Sequence, residues 1–257
     1  MKKFTLSLMV FVLTAVATPV MAASFADIAF VVDQSGSMSN EFAWLGSSIA
    51  GIDNAITADA NISDVNYGVA GYEHYAGNDP LAPSSSVWQD ISNDVSAVTA
   101  AVTGTQLYGG TERGYHAADW AADNFSWTGG SYAKVMVLIT DEPNDYRASY
   151  AYDGLFGEAA IAKKMADESI LLNVITFQSY FQYWDSVVFQ NPSTGFLGNF
   201  DLTFLKDDPT AFTADFTAAK LAEIIIVKPP VVPEPATILL LGSGLIGLAF
   251  ARRKMKK

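Results

Sequence analysis

Residues 28–39 read IAFVVDQSGSMS, and this stretch is informative about both the fold class and a candidate site. The uninterrupted apolar run at residues 28–32 is typical of a strand that is buried on both faces. The run ends at Asp33, and Ser35 and Ser37 follow at alternate positions. Their side chains offer only oxygen atoms and lie close enough in sequence to face one point. The stretch therefore predicts a buried strand that ends in a polar site.

Strand-like and helix-like patterns alternate through the rest of the chain. Apolar residues at spacings of three and four predict a helix over residues 40–58, and further segments follow the same alternation. The other predicted strands are residues 65–75, 87–91, 134–140, 170–177 and 199–206, and the other predicted helices are residues 94–102, 113–125, 154–169 and 209–226. This order predicts an α/β fold, a doubly wound and mostly parallel central sheet flanked by helices, in one domain at residues 23–226.

Three loops of this predicted sheet carry oxygen side chains, and they read DQSGS, GGT and TDEPND. Asp33 follows the first strand directly, Asp141 follows the most apolar strand, and Thr111 comes just before a helix. Ligands of doubly wound sheets bind beyond the carboxyl ends of the strands. We therefore expect Asp33, Ser35, Ser37, Thr111 and Asp141 to meet at one edge of the sheet.

Carboxylates and hydroxyls are hard oxygen donors, and together with water they suit Mg²⁺, Mn²⁺ or Ca²⁺. The five residues thus predict a divalent-cation site, with Mg²⁺ as the expected ion. An alternative is that Asp33 and the serines only cap the helix that follows, since Asp and Ser are favourable N-cap residues. Glu142 and Asp145 add charge at the rim of the third loop and are expected to be solvated rather than ligands.

The five positions resemble the von Willebrand factor type A (vWA) domain and its metal-ion-dependent adhesion site. That pattern is Asp-x-Ser-x-Ser in the first loop, Thr in the second and Asp in the third, matched here by Asp33, Ser35, Ser37, Thr111 and Asp141. The resemblance implies that the hydroxyls coordinate the ion and that the aspartates bind it directly or through water. It also implies an open position for a carboxylate or other oxygen of a protein or polysaccharide ligand. Many members have glycine after the third-loop aspartate, where this chain has Glu142.

The two ends of the chain predict export. Residues 1–22 combine Lys2 and Lys3, an apolar run and small residues near Ala22, which is the form of a secretory signal peptide. Residues 227–235 form a proline-rich linker, residues 236–251 a hydrophobic segment and residues 252–257 a basic tail. A basic tail after an apolar segment is held in the cytoplasm, so the segment predicts a transmembrane anchor.

The C-terminal order resembles a PEP-CTERM sorting signal, in which Pro233, Glu234 and Pro235 precede the hydrophobic segment and the basic tail. The resemblance implies processing by an exosortase near these residues. It also implies membrane anchoring before processing and a cell-surface or extracellular location afterwards. An alternative is a plain membrane anchor that is kept.

Composition narrows the function classes. Without residues 1–22 and 236–257 the chain holds 8 basic against 27 acidic residues, which disfavours binding to nucleic acid or to anionic membranes. The sequence has no cysteine, so disulfides and thiolate metal sites are excluded. It has two histidines, His74 and His116. We expect a metal-dependent binding or adhesion module that is not an enzyme. Two alternatives are a matrix protein whose metal only stabilises the fold, and a metal-dependent hydrolase.

Overall fold

The computed structural model describes residues 24–72, 88–103, 112–145, 147–190, 195 and 197–227. The predicted signal peptide, the sorting residues, the hydrophobic segment, the basic tail and Thr111 lie outside these residues. Among the described residues, no helix combines the length and apolar character needed to cross a membrane.

Strands and helices alternate along the described chain. The strands are β1 (Ser24–Asp33), β2 (Ile62–Tyr72), β3 (Trp88–Ser92), β4 (Tyr132–Ile139), β5 (Ala151–Tyr152), β6 (Leu155–Phe156), β7 (Ile170–Thr176) and β8 (Asn199–Asp201). The helices are α1 (Ser39–Thr57), α2 (Val95–Val102), α3 (Gly114–Asn124), α4 (Gly157–Asp167), α5 (Leu202–Asp207) and α6 (Pro209–Val227). Two short 3-10 helices, Arg147–Ser149 and Gln178–Tyr183, lie in the connections.

The central sheet has six strands in the order β3-β2-β1-β4-β7-β8. β3 is antiparallel to β2 at one edge, and every other neighbouring pair is parallel. Strands β5 and β6 form a separate two-stranded sheet. The predicted α/β class with a mostly parallel central sheet is therefore confirmed.

Helices cover both faces of the sheet, so alternate residues of its strands are buried in two separate cores. Ile28, Phe30 and Val32 of β1 pack into the core formed with α1, α2 and α6. Ala29 and Val31 pack into the second core, formed with α3 and α4. The apolar run at residues 28–32 is thus buried on both faces, as a central parallel strand requires.

Several predicted elements start or end at other residues in the structure, and two of these differences have a local cause. The strand predicted over residues 199–206 is wrong after Asp201, because Asp201 accepts a hydrogen bond from the backbone N–H of Thr203 at 2.9 Å and starts helix α5. The helix predicted over residues 154–169 begins only at Gly157. The β5–β6 hairpin turns at Gly154, whose φ of 78° belongs to a turn rather than to a helix.

Candidate metal centre

The candidate site lies where the strand order of the sheet reverses. β1 is flanked by β2 on one side and by β4 on the other, and the chain leaves β1 and β4 toward helices on opposite faces. The parallel register pairs Val32 with Ile139, so Asp33 comes beside Thr140 and Asp141 follows. Crevices at such points, beyond the carboxyl ends of strands, are where doubly wound sheets bind ligands.

Four of the five predicted residues meet at this edge. The Oγ atoms of Ser35 and Ser37 are 3.1 Å apart. The Ser37 hydroxyl donates a hydrogen bond to Oδ1 of Asp141 at 3.0 Å, across 104 residues of sequence. Oδ1 of Asp33 accepts the backbone N–H of Ser35 at 2.7 Å. The predicted fifth residue, Thr111, lies outside the described residues.

These spacings suit a small octahedral cation. Ligands at right angles around Mg²⁺, each 2.0–2.1 Å from the ion, lie about 3.0 Å from one another. The contacts from Ser35 to Ser37 and from Ser37 to Asp141 have nearly this length. Among the described residues, no three His, Cys, Asp or Glu side chains gather as metal ligands. The fit to a cation therefore depends on the serine hydroxyls as well as the carboxylates.

Asp33 is fully buried and has two hydrogen-bond partners in the loops around it. Thr140 donates its hydroxyl proton to Oδ2 of Asp33 at 3.0 Å, and the Ser35 N–H occupies Oδ1. Burial, helped by the charges of Glu112 and Asp141, raises the pKa of Asp33 to about 8, although the hydrogen bonds from Ser35 and Thr140 oppose the shift. A buried carboxylate with negative neighbours is poorly stabilised by the protein alone, so a cation would be favoured here.

Glu112 adds a third acid that sequence reasoning did not include in the site. Burial, together with the charges of Glu142, Asp145 and Asp141, raises the pKa of Glu112 to about 7. The backbone N–H of Asp145 donates to the carbonyl of Glu112 at 2.7 Å, which holds the start of α3 beside the loop after β4. The position of Glu112 directly after Thr111 was the one signal in the sequence that pointed to it.

The loop after β1 is held by packing rather than by helix capping. Gln34 is fully buried against Gly71 of β2, where an added Cβ would come within 2.4 Å of Gln34 Oε1. Helix α1 begins at Ser39 behind the buried Met38, with no side-chain capping bond. The alternative that Asp33 or the serines cap α1 is therefore wrong.

Lys206 of α5 brings a positive charge to the edge of the site, and the sequence argument missed it. Its Nζ atom is 3.2 Å from Oε1 of Glu41 and 4.0 Å from Oδ2 of Asp141. Glu41 is buried in the first turn of α1, and its oxygens have no hydrogen bond among the described residues. The Lys206 amine is thus shared between two acids, Glu41 and Asp141.

Comparison with known proteins places the C-terminus in a defined class. The PEP-CTERM protein-sorting motif matches residues 231–254, which include Pro233, Glu234 and Pro235. The sorting signal predicted from the sequence is therefore confirmed. It marks an exported protein whose processing partner is an exosortase and which is anchored in the membrane during sorting toward the cell surface.

Solved structures with a similar fold include the pilus adhesin SpaC from Lactobacillus rhamnosus GG. Its open conformation is 15% identical to this chain, with a TM-score of 0.55 over 82% of this chain and 31% of the adhesin. Another crystal form of the same adhesin is 16% identical, with a TM-score of 0.56 over 80% of this chain and 31% of the adhesin. The match thus spans about a third of the adhesin, and at this identity it shows the fold alone.

No protein with a curated description is significantly similar to the chain in sequence. The sorting motif and the sheet nevertheless support one conclusion. The protein is an exported, exosortase-sorted protein with a mixed α/β domain, and oxygen-bearing side chains meet at the carboxyl ends of β1 and β4.

Proposed function

We propose that residues 23–226 form a vWA domain that binds its partner through a divalent cation at the cell surface or in the extracellular polysaccharide matrix. The cation, Mg²⁺ or else Mn²⁺ or Ca²⁺, is held by Asp33, Ser35, Ser37, Thr111 and Asp141. The observation that carries the proposal is the meeting of two serine hydroxyls and Asp141 at octahedral spacing beside the buried Asp33.

The site binds rather than catalyses. Serine hydroxyls and a few carboxylates leave the cation a position for an oxygen of a protein or polysaccharide ligand. Catalysis would also need a general base close to the reacting atom. His116, the histidine among the described residues, packs edge-on against Tyr150 with ring centroids 5.3 Å apart. Burial lowers the pKa of His116, as expected for a ring that packs within the domain.

Sorting by an exosortase supports the location in this proposal. The motif at residues 231–254 delivers the domain toward the surface, and the fold it delivers is shared with part of a pilus adhesin. A surface or matrix protein of this kind meets carboxylates and hydroxyls of neighbouring polymers. These are the oxygens that a partly hydrated divalent cation accepts.

Metal-dependent stabilisation tests the site directly. Thermal unfolding of the exported protein is measured in EDTA and in Mg²⁺, Mn²⁺ or Ca²⁺, for the wild type and Asp33→Ala. An ion at about 100 times its Kd stabilises a protein by roughly 2.7 kcal/mol, which raises the Tm of a domain of this size by about 5–10 °C. We expect this rise in the wild type and not in Asp33→Ala. Asp215→Ala removes an exposed acid of α6 and is the matched control, which should keep the full rise.

Retention on the matrix tests the binding function. Cells that export the wild type or Asp33→Ala are washed with Mg²⁺ or with EDTA, and the protein left on the cells and matrix is quantified. Metal-dependent binding predicts release of the wild type by EDTA and poor retention of Asp33→Ala in both washes. A thermal shift without EDTA-sensitive retention would instead favour a matrix protein whose metal only stabilises the fold.

A further inference from the structure

A buried group of three reactive side chains joins helix α6 to strand β7. Lys220 and Glu223 lie one turn apart on α6, and the Lys220 Nζ atom contacts Oε2 of Glu223. The side-chain Nδ2 of Asn173 donates to the other oxygen, Oε1 of Glu223, at 2.9 Å. A primary amine and a primary carboxamide are therefore held on the two oxygens of one carboxylate. We call Asn173, Lys220 and Glu223 the α6–β7 triad.

The triad lies in apolar surroundings. Lys220 and Asn173 are fully buried, and Glu223 is 2% exposed. Nζ of Lys220 lies 5.1 Å from the ring centroid of Phe200 and 5.6 Å from that of Phe216. Burial lowers the pKa of Lys220, although the Glu223 charge opposes this shift. Such surroundings favour the neutral form of the Lys220 amine, because a neutral amine needs less solvation than an ammonium ion.

The amide of Asn173 has a hydrogen-bonded nitrogen but a carbonyl oxygen without a hydrogen bond among the described residues. Its Oδ1 atom is buried and has no hydrogen-bond partner among the described residues. Gly198 packs directly on this amide, and an added Cβ at Gly198 would lie 2.6 Å from Oδ1. The Nδ2 atom donates both to Glu223 at 2.9 Å and to the Leu171 carbonyl at 3.3 Å, so the carbonyl oxygen is the one part of this amide that lacks a hydrogen bond among the described residues.

We propose that Lys220 and Asn173 form an intramolecular amide cross-link, with Glu223 carrying the proton. Lys220 first gives a proton to Glu223, which leaves a neutral amine and a neutral acid. The bond from Nζ to Cγ of Asn173 forms, and the bond from Cγ to Nδ2 breaks. Glu223 gives its proton to the departing nitrogen and accepts one from Nζ. Ammonia leaves and takes the last proton from Glu223, so that a secondary amide, an ammonium ion and the carboxylate remain.

The cross-link would have a mechanical consequence. It ties α6 to β7 in the sheet and closes a loop from residue 173 to residue 220. Helix α6 ends at Val227, and the sorting motif begins at residue 231. In a protein held or pulled through its C-terminal end, load enters the domain through α6. A covalent bond at Lys220 passes that load to the sheet without relying on helix packing.

Peptide mapping of the full chain tests the proposal. The protein is purified from the cells that export it, unfolded, digested with trypsin and analysed by mass spectrometry. We expect no cleavage after Lys220, and residues 165–206 joined to the peptide that begins at Asp207. The joined species should be about 17 Da lighter than its two parts, the mass of ammonia. Lys164 is an internal control, because this buried lysine pairs only with carboxylates and should be cleaved normally.

A free peptide of residues 207–220 from the folded wild type would overturn the proposal, whatever the variants do. Glu223→Gln keeps the size of the side chain but cannot carry the proton, so this variant should yield that free peptide. Cross-linked Glu223→Gln would overturn the role of Glu223. Thermal unfolding of each sample before digestion shows that the protein was folded.

Discussion

The candidate metal centre and the α6–β7 triad both bury ionisable groups, and the balance of acids and amines differs between them. At the candidate metal centre, Asp33, Glu112 and Asp141 interact with one another, and the Lys206 amine is 4.0 Å from Asp141 and 3.2 Å from Glu41. In the triad, one lysine meets one glutamate, and an amide occupies the remaining oxygen. In the triad, the single acid already has an amine beside it. The candidate metal centre has more acids than amines, as expected for a site completed by a cation from outside.

Breaking the triad should produce the largest effect. Glu223→Ala cannot form the cross-link and leaves the Lys220 amine buried without its partner, and we expect a loss of about 3–5 kcal/mol in the free energy of unfolding. Urea unfolding measures it. The matched control is Glu168→Ala, since Lys164 keeps Asp119 and Asp123 as partners when Glu168 is lost. Equal losses in the two variants would contradict the expectation that a buried lysine with one acid partner depends on it more than a lysine with three.

Neutralising Asp33 should remove the stabilisation of the domain by metal. Asp33→Asn can keep both local contacts, since Oδ1 still accepts the Ser35 N–H and the new amide donates to the Thr140 hydroxyl. We expect it to abolish a metal-dependent gain of about 2.7 kcal/mol that the wild type shows at 100 times the ion's Kd. Calorimetric unfolding with and without Mg²⁺ measures both values. A full gain in Asp33→Asn would exclude Asp33 from the site.

The same variant should change the pH dependence of the metal-free protein. Burial raises the pKa of Asp33 to about 8, above its ordinary value of 3.8. Between these pH values the folded state retains a proton that the unfolded state has lost, so the stability contribution falls as pH rises from about 4 to about 8. Stability curves in EDTA should show this fall in the wild type and a flatter profile in Asp33→Asn. Parallel profiles would mean that Asp33 does not titrate in this range.

Crowding the triad should have an intermediate effect. Gly198→Ala would place a Cβ 2.6 Å from Oδ1 of Asn173 and 3.0 Å from the Leu172 carbonyl, and we expect a loss of about 1–3 kcal/mol. Gly51→Ala is the control, because a Cβ at Gly51 meets nothing within 4 Å and alanine favours helix α1. Chemical unfolding should show opposite signs for the two variants. An unchanged free energy of unfolding in Gly198→Ala would mean that β7 and β8 can move apart at this contact at little cost.

Removing the Lys206 amine should change the affinity for divalent ions, and this is the smallest of the expected effects. Lys206→Met takes a positive charge from beside Asp141, and we expect divalent ions to bind more tightly by about 1 kcal/mol, roughly fivefold. Titration calorimetry at low salt measures the change, which should shrink as added salt screens the charges. An unchanged affinity would show that Lys206 acts on Glu41 alone.

Much of the fold could be predicted because its signals are local. The apolar run before Asp33 predicted a central strand, and alternating periodicities predicted the order of most strands and helices. The convergence of Asp33, Ser35, Ser37 and Asp141 also followed, since parallel strands bring their carboxyl ends to one edge. Residues 202–206 were missed because Leu202 and Leu205 suit a strand or a short helix equally, and the cap at Asp201 decided the outcome.

The sequence by itself determined the α/β class, the four described residues of the candidate site and the C-terminal sorting motif, because each depends on short patterns or on strand ends. Only the tertiary structure decided which charges meet. Thr140 and Asp33 are 107 residues apart, and Asn173 and Glu223 are 50 apart. Neither pairing leaves a periodic trace, because packing of a helix against a sheet selects single atoms from distant segments. The burial that shifts the pKa values of Asp33 and Lys220 likewise exists only in the folded chain.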